Sequence, residues 1–113
     1  MPFIDSKISV PVSKEKQETI KSAFGKAVSA IGKPESYLMV GFEDNYDLFF
    51  AGKRVDKGAF VSVDLFGKAS SDAYNKLTGE ICSILEKELG LSGNNIYVAY
   101  RGTNDWGWDG RNF

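Results

Sequence analysis

At 113 residues the chain is near the usual size of one domain, and 42% hydrophobic with 26% charged residues is ordinary for a globular protein that folds without disulfide staples. Fourteen basic against fifteen acidic residues give a formal charge of −1, and no stretch gathers five or six like charges, which argues against nucleic acid or an anionic membrane as a partner. Histidine is absent and Cys82 is the single cysteine, so histidine triads, histidine metal sites and an internal disulfide are excluded.

Met1 to Val10 meets Asp5 too early for a secretory signal, and no stretch approaches a membrane span, so a cytoplasmic location is expected. Pro2 to Val10 lacks helical rhythm and reads as a strand that Pro11 ends. From Ser13, an N-cap type with Glu15 in the first turn, apolar residues recur at Ile20, Phe24, Ala27, Val28 and Ile31, which is one stripe of a helix. Gly32 closes it, and Pro34 cannot continue it. Tyr37 to Phe42 reads as a second strand, and Glu43 to Lys57 as a loop with one brief strand around Leu48 to Ala51.

Gly58 to Phe66 is a third strand, followed by the N-cap types Ser70, Ser71 and Asp72. The second helix carries its stripe at Tyr74, Leu77, Ile81, Ile84, Leu85 and Leu89, and Gly90 closes it as Gly32 closed the first. Ile96 to Tyr100 is the fourth strand, and a Gly-rich tail from Gly102 to Phe113 carries Trp106 and Trp108. The two halves match: strand, helix, closing glycine, strand. The expected fold is therefore α+β, one domain over residues 1–113, with two right-handed β-α-β repeats that place two helices on one face of a four-stranded mixed sheet. On the third strand Ala59, Val61, Val63 and Leu65 suit the helices, while Phe60, Ser62, Asp64 and Phe66 line the uncovered face. That mixture of aromatics and small polar groups predicts homo-oligomerisation.

Without histidine, acid–base work falls to carboxylates, Lys, Tyr, a thiol and the chain terminus. Initiator methionine is ordinarily trimmed before a small residue, which would leave Pro2 as a terminal secondary amine on a rigid ring; the plain alternative is an inert second residue. Lys33 lies just past a helix C-terminus, where the macrodipole favours a cation in any case. Its functional reading is to hold a substrate carboxylate and lower the amine's proton affinity. A cation about 7 Å from the amine, at an effective dielectric of about 20, contributes roughly 2.4 kcal/mol, or about 1.7 pK units. An ordinary terminal amine would then be largely neutral and able to act as a general base. Tyr97 either packs on its strand or donates through its phenol. Trp106, Trp108 and Phe113 are either a pocket wall or interface anchors. Cys82, inside the second helix, reads as a buried inert thiol, and Asp64 either as a carboxylate catalyst or, the commoner case, as a solvated or interface-facing carboxylate.

Taken together, Met1-Pro2-Phe3, Gly32-Lys33-Pro34, Phe66-Gly67-Lys68, Ile96-Tyr97 and Trp108 with the terminal Asn112-Phe113 resemble the family of macrophage migration inhibitory factor and D-dopachrome tautomerase, in the tautomerase superfamily. The match runs the length of the chain in order. The resemblance implies a homotrimer with sheets around a central channel and a site at each subunit boundary. It further implies a keto-enol tautomerase acting on phenylpyruvate-type aromatic α-keto acids and dopachrome-like compounds, with neither metal nor organic cofactor. By position, Pro2 is then the catalytic base. Lys33 and the backbone amide of Phe66 bind the carboxylate, Tyr97 from a neighbouring subunit helps hold the substrate, and Trp106, Trp108 and Phe113 form an apolar wall.

Three departures stand against that pattern. Ala99 replaces a substrate-contacting Asn, Trp106 replaces a smaller aliphatic, and the Cys-x-x-Cys tied to a thiol-oxidoreductase activity has no counterpart near Lys57 to Phe60. The resemblance also carries a rival function, that of a cytokine-like protein exported without a signal peptide and bound by a cell-surface receptor. A third reading is hydration or dehalogenation by the same terminal proline.

Overall fold

The computed structural model describes residues 1–113 and contains β1 (Pro2–Ile8), α1 (Lys14–Ala27), β2 (Met39–Glu43), β3 (Phe49–Phe50), β4 (Lys53–Arg54), β5 (Ala59–Phe66), α2 (Ser71–Leu89), β6 (Ile96–Thr103), β7 (Gly107–Trp108) and β8 (Arg111–Asn112). Both helices start where a serine can satisfy a free amide. The Ser13 Oγ accepts from the Lys16 N–H and the Ser70 Oγ from the Ala73 N–H, each at 3.1 Å. A 3₁₀ turn over Val28–Ile31 extends α1 until Gly32 ends it at φ +72°, and Gly90 ends α2 at φ +67°.

The sheet order is β2-β1-β5-β6. β1 runs parallel to β2, β5 runs parallel to β6, and β1 meets β5 antiparallel, so the two β-α-β units join through their first strands. Ile4, Ile8, Val61, Val63 and Leu65 project from the sheet into one core with Ile20 and Phe24 of α1 and Leu77, Ile81 and Leu85 of α2. That shared core places both helices on one face, as the twin stripes imply. Alternate positions on the other face, among them Phe3, Asp5, Lys7, Ser62 and Asp64, are only half-buried. No helix is long and apolar enough to cross a membrane.

Boundaries shift where local turns override the apolar pattern. β1 ends at Ile8 rather than Val10, and β2 starts at Met39 rather than Tyr37 because Glu35–Tyr37 form a 3₁₀ turn behind Pro34. The brief strand near Leu48 is one arm of a hairpin whose turn residues, Ala51 and Gly52, have φ +52° and +81°. β6 continues to Thr103, and the tail folds into the β7–β8 hairpin around Asp109 and Gly110.

Ser6 is the one polar residue on the helix-facing side of β1; it is fully buried, and its hydroxyl has no hydrogen-bond partner. An unpaired buried hydroxyl costs more than the methyl group that could replace it. Ser6→Ala is expected to raise the unfolding free energy by about 1 kcal/mol in denaturant titration. A loss of stability would show that the hydroxyl is bonded in solution.

Candidate active site

Pro2 opens β1 in the middle of the sheet, where its missing N–H forfeits little because a strand's first residue tolerates it. It sits opposite Leu65 of β5 with its ring fully buried, so the start of the chain is fixed rather than frayed. Directly beyond, the Phe66 N–H donates to the Met1 carbonyl at 3.2 Å, and the Lys33 Nζ donates to the Phe66 carbonyl at 3.1 Å. Lys33 and Phe66 thus meet at the chain start although 33 residues separate them in sequence.

The Phe66 backbone is held there by an unusual crossing. Gly67, at φ +76°, donates its N–H to the Thr103 carbonyl at 2.7 Å, and its own carbonyl lies where a Cβ on Gly102 would have to be. Only glycine at 102 lets the turn after β5 pass so close to β6.

A cavity of about 510 Å³ opens at this point. Met1, Pro2 and Phe3 form one side and Ser36 to Met39 another, while Asp64 and the stretch Trp106–Trp108 complete it. The Trp108 ring meets Tyr37 edge-on at 6.1 Å, and Phe113 meets Phe66 edge-on at 5.2 Å. Phe113 also donates its N–H to the Trp106 carbonyl at 3.1 Å, which folds the tail back over the site. An apolar, aromatic wall with a cation and a backbone donor at one end suits a flat anionic ligand.

In the chain that keeps Met1, burial lowers the pKa of the Met1 amine below its ordinary 8.0, and the positive charge of Lys33 lowers it further. Burial pushes the Cys82 thiol up, with Glu86 adding to the shift. This half-buried rather than fully buried side chain on α2 is therefore a poor nucleophile, and it lies outside the cavity. Nowhere do three His, Cys, Asp or Glu side chains converge as metal ligands would.

Of the residues singled out in the sequence, Pro2, Trp106 and Trp108 line the cavity, and Lys33, Phe66 and Phe113 gather beside it. Tyr97 does not. It pairs with Phe60 at the far end of β5, is 58% exposed, and packs against Phe50 at 5.4 Å. Tyr37 and Met39 are lining residues that the sequence did not bring forward, and Asp64, weighed there as a carboxylate catalyst against a solvated residue, lines the cavity too. The first two depend on the turn behind Pro34, and Asp64 owes its place to being the partner of Phe3 across β1 and β5.

The whole chain, residues 1–113, matches the Macrophage migration inhibitory factor (MIF) family. A macrophage migration inhibitory factor of Xenopus laevis is 29% identical over 99 residues, 85% of each chain. The crystal structure of Leishmania major MIF2 superposes with a TM-score of 0.93 at 32% identity, covering 100% of this chain and 97% of that one. The macrophage migration inhibitory factor of Toxoplasma gondii does so with a TM-score of 0.86 at 25% identity, covering 98% and 99%.

Proposed function

We propose, since this chain belongs to the macrophage migration inhibitory factor family, that it is a keto-enol tautomerase of aromatic α-keto acids of the phenylpyruvate type, with D-dopachrome as a further substrate. Membership in the family supports a tautomerase or migration-inhibitory-factor-like function in general. The observation that carries the narrower reading is the position of the Met1 carbonyl oxygen, which takes the Phe66 N–H beside a lysine ammonium. Removal of Met1 frees that donor and bares the Pro2 nitrogen in the same step. A substrate carboxylate then takes the place of the carbonyl oxygen, with Lys33 turning from the Phe66 carbonyl to pair with it.

With its acid group so fixed, the substrate lays its ring against Trp106, Trp108 and Phe113. The neutral Pro2 nitrogen takes a proton from the carbon beside the ketone, and the electron pair moves onto oxygen, which is protonated to give the enol. In the reverse direction the hydroxyl loses its proton, and the Pro2 ammonium delivers one to carbon. Only a proton moves, so neither redox partner nor cofactor is called for.

The single subunit leaves Met39, Phe49 and Tyr97 between 58% and 68% exposed near the sheet edges, which favours assembly into a homotrimer in which Tyr97 reaches a neighbour's cavity. The test is the ultraviolet decay of the phenylpyruvate enol with protein shown by mass spectrometry to begin at Pro2. Catalysed decay is expected, together with a trimeric mass by sedimentation. A correctly trimmed trimer that leaves the decay at its buffer rate overturns the substrate assignment.

A further inference from the structure

The cavity wall contains a carboxylate that the proposed reaction has no use for. Asp64 of β5 lies beside Pro2 and Phe3, and an anion there opposes both an acidic substrate and a neutral amine. In the structure that carboxylate is gripped from the neighbouring strand. The Arg101 Nε donates to Asp64 Oδ1 at 2.8 Å and an Arg101 Nη to Asp64 Oδ2 at 3.3 Å, a two-pronged pairing across the β5–β6 ladder. The grip raises the proton affinity of the guanidinium, chiefly through the hydrogen bond it donates to Asp64. Arg101 is itself exposed, and an exposed pair of this kind adds little to folding stability, so its value lies elsewhere.

We propose that Arg101 is a positioning residue for the Pro2 cavity: its guanidinium turns the Asp64 carboxylate toward β6 and cancels its charge, so that the wall facing the bound acid is neutral. The inference rests on the reading of the cavity as an anion-binding site around a terminal amine. The charged and titratable groups around that amine are Lys33 from the segment after α1, Asp64 from β5, Arg101 from β6, and the Tyr37 phenol from the turn before β2. On β1 itself the nearest is Asp5, which is held by Lys7 at 3.1 Å. Asp64 is thus the one carboxylate lining the cavity, and Arg101 the one group bonded to it.

The experiment uses trimmed protein and two readouts. The first is the pH dependence of covalent labelling of the terminal amine by an amine-selective acylating reagent, followed by intact mass. The second is KM against kcat for phenylpyruvate. Arg101→Gln is expected to move the labelling inflection upward by about one unit, because an uncompensated carboxylate favours the ammonium. It should also raise KM several-fold with a smaller change in kcat at high pH. Asp64→Asn combined with Arg101→Gln should restore both, which mere disturbance of the fold would not do. An unmoved inflection in Arg101→Gln, or a double variant as impaired as the single one, overturns the assignment. Amine labelling needs no turnover, so a shift there stands even if phenylpyruvate proves not to be a substrate, and the failure of one reading is distinguishable from the failure of the other.

Discussion

Replacing Pro2 by Gly is expected to lower kcat/KM for phenylpyruvate by about 10²–10⁴-fold, the range a positioned general base supplies. Glycine at the second position still permits removal of Met1, so the variant keeps a free amine and loses only the ring. That ring is fully buried at the head of a central strand, which holds the nitrogen in one orientation at the cavity. A flexible primary amine in its place samples many orientations and meets the substrate carbon in few of them. Chain that retains Met1 should be inactive to a similar degree, for a different reason. Its Pro2 nitrogen is an amide without basicity, and its Met1 carbonyl occupies the Phe66 N–H. Stopped assays on mass-verified samples of all three chains check both expectations. Full activity in Pro2→Gly would remove the proline from the reaction.

Replacing Lys33 by Ala should raise KM about ten- to a hundredfold, the equivalent of losing a hydrogen bond to a charged group worth roughly 1.5–3 kcal/mol. It should also move the basic group's inflection in kcat/KM toward higher pH. In the chain that keeps Met1, burial and then Lys33 hold the terminal amine below its ordinary 8.0; the Pro2 nitrogen, one residue on beside the same ammonium, is expected to feel Lys33 in the same direction, and deleting the cation relieves that push. The base works unprotonated, so activity rises with pH through the inflection, and the variant reaches its plateau later. Stability follows the same sign. In the chain that keeps Met1, between the lowered folded pKa of its amine and 8.0 the unfolded chain binds more protons than the folded one, so folding strengthens as pH rises across that window. The Ala variant should show a shallower rise. Parallel pH profiles of rate and of unfolding free energy measure both, and an inflection that stays in place would place the ammonium of Lys33 too far from the nitrogen to matter.

How much of this was legible depended on how local the cause was. Ser13, Ser70, Gly32 and Gly90 act on their own backbone, and each marks its helix end in the structure as it does in the letters. The twin stripes gave the helices, and the alternation along Gly58 to Phe66 gave the buried and open faces of β5. The hairpins were harder. Ala51 takes a positive φ that its side chain disfavours, so no turn signature announced β3–β4, whereas Asp109-Gly110 is a recognised hairpin pair that the aromatic content of the tail obscured. At the site, Lys33 was conspicuous because it follows a helix stop, but its meeting with Phe66 is a long-range fact that resemblance supplied and periodicity could not. Tyr37 and Met39 enter the cavity only because a 3₁₀ turn delays the second strand. Tyr97 faces away from the Pro2 of its own subunit, so no reading of one chain could bring it there from geometry.

The burial of Pro2 and the hydrogen bond on Met1 also set an order of events in time. The peptide bond between them lies at the head of a strand whose neighbours are Met39 to Glu43 on one side and Ala59 to Phe66 on the other, so it becomes sheltered only after about half the chain has been synthesised. An aminopeptidase must draw an extended terminus into its own cleft, which is easier on the emerging chain than on the finished sheet, where the Pro2 ring is fully buried. Under the proposed function, trimming of Met1 is therefore expected to be faster on the emerging chain than on the folded protein.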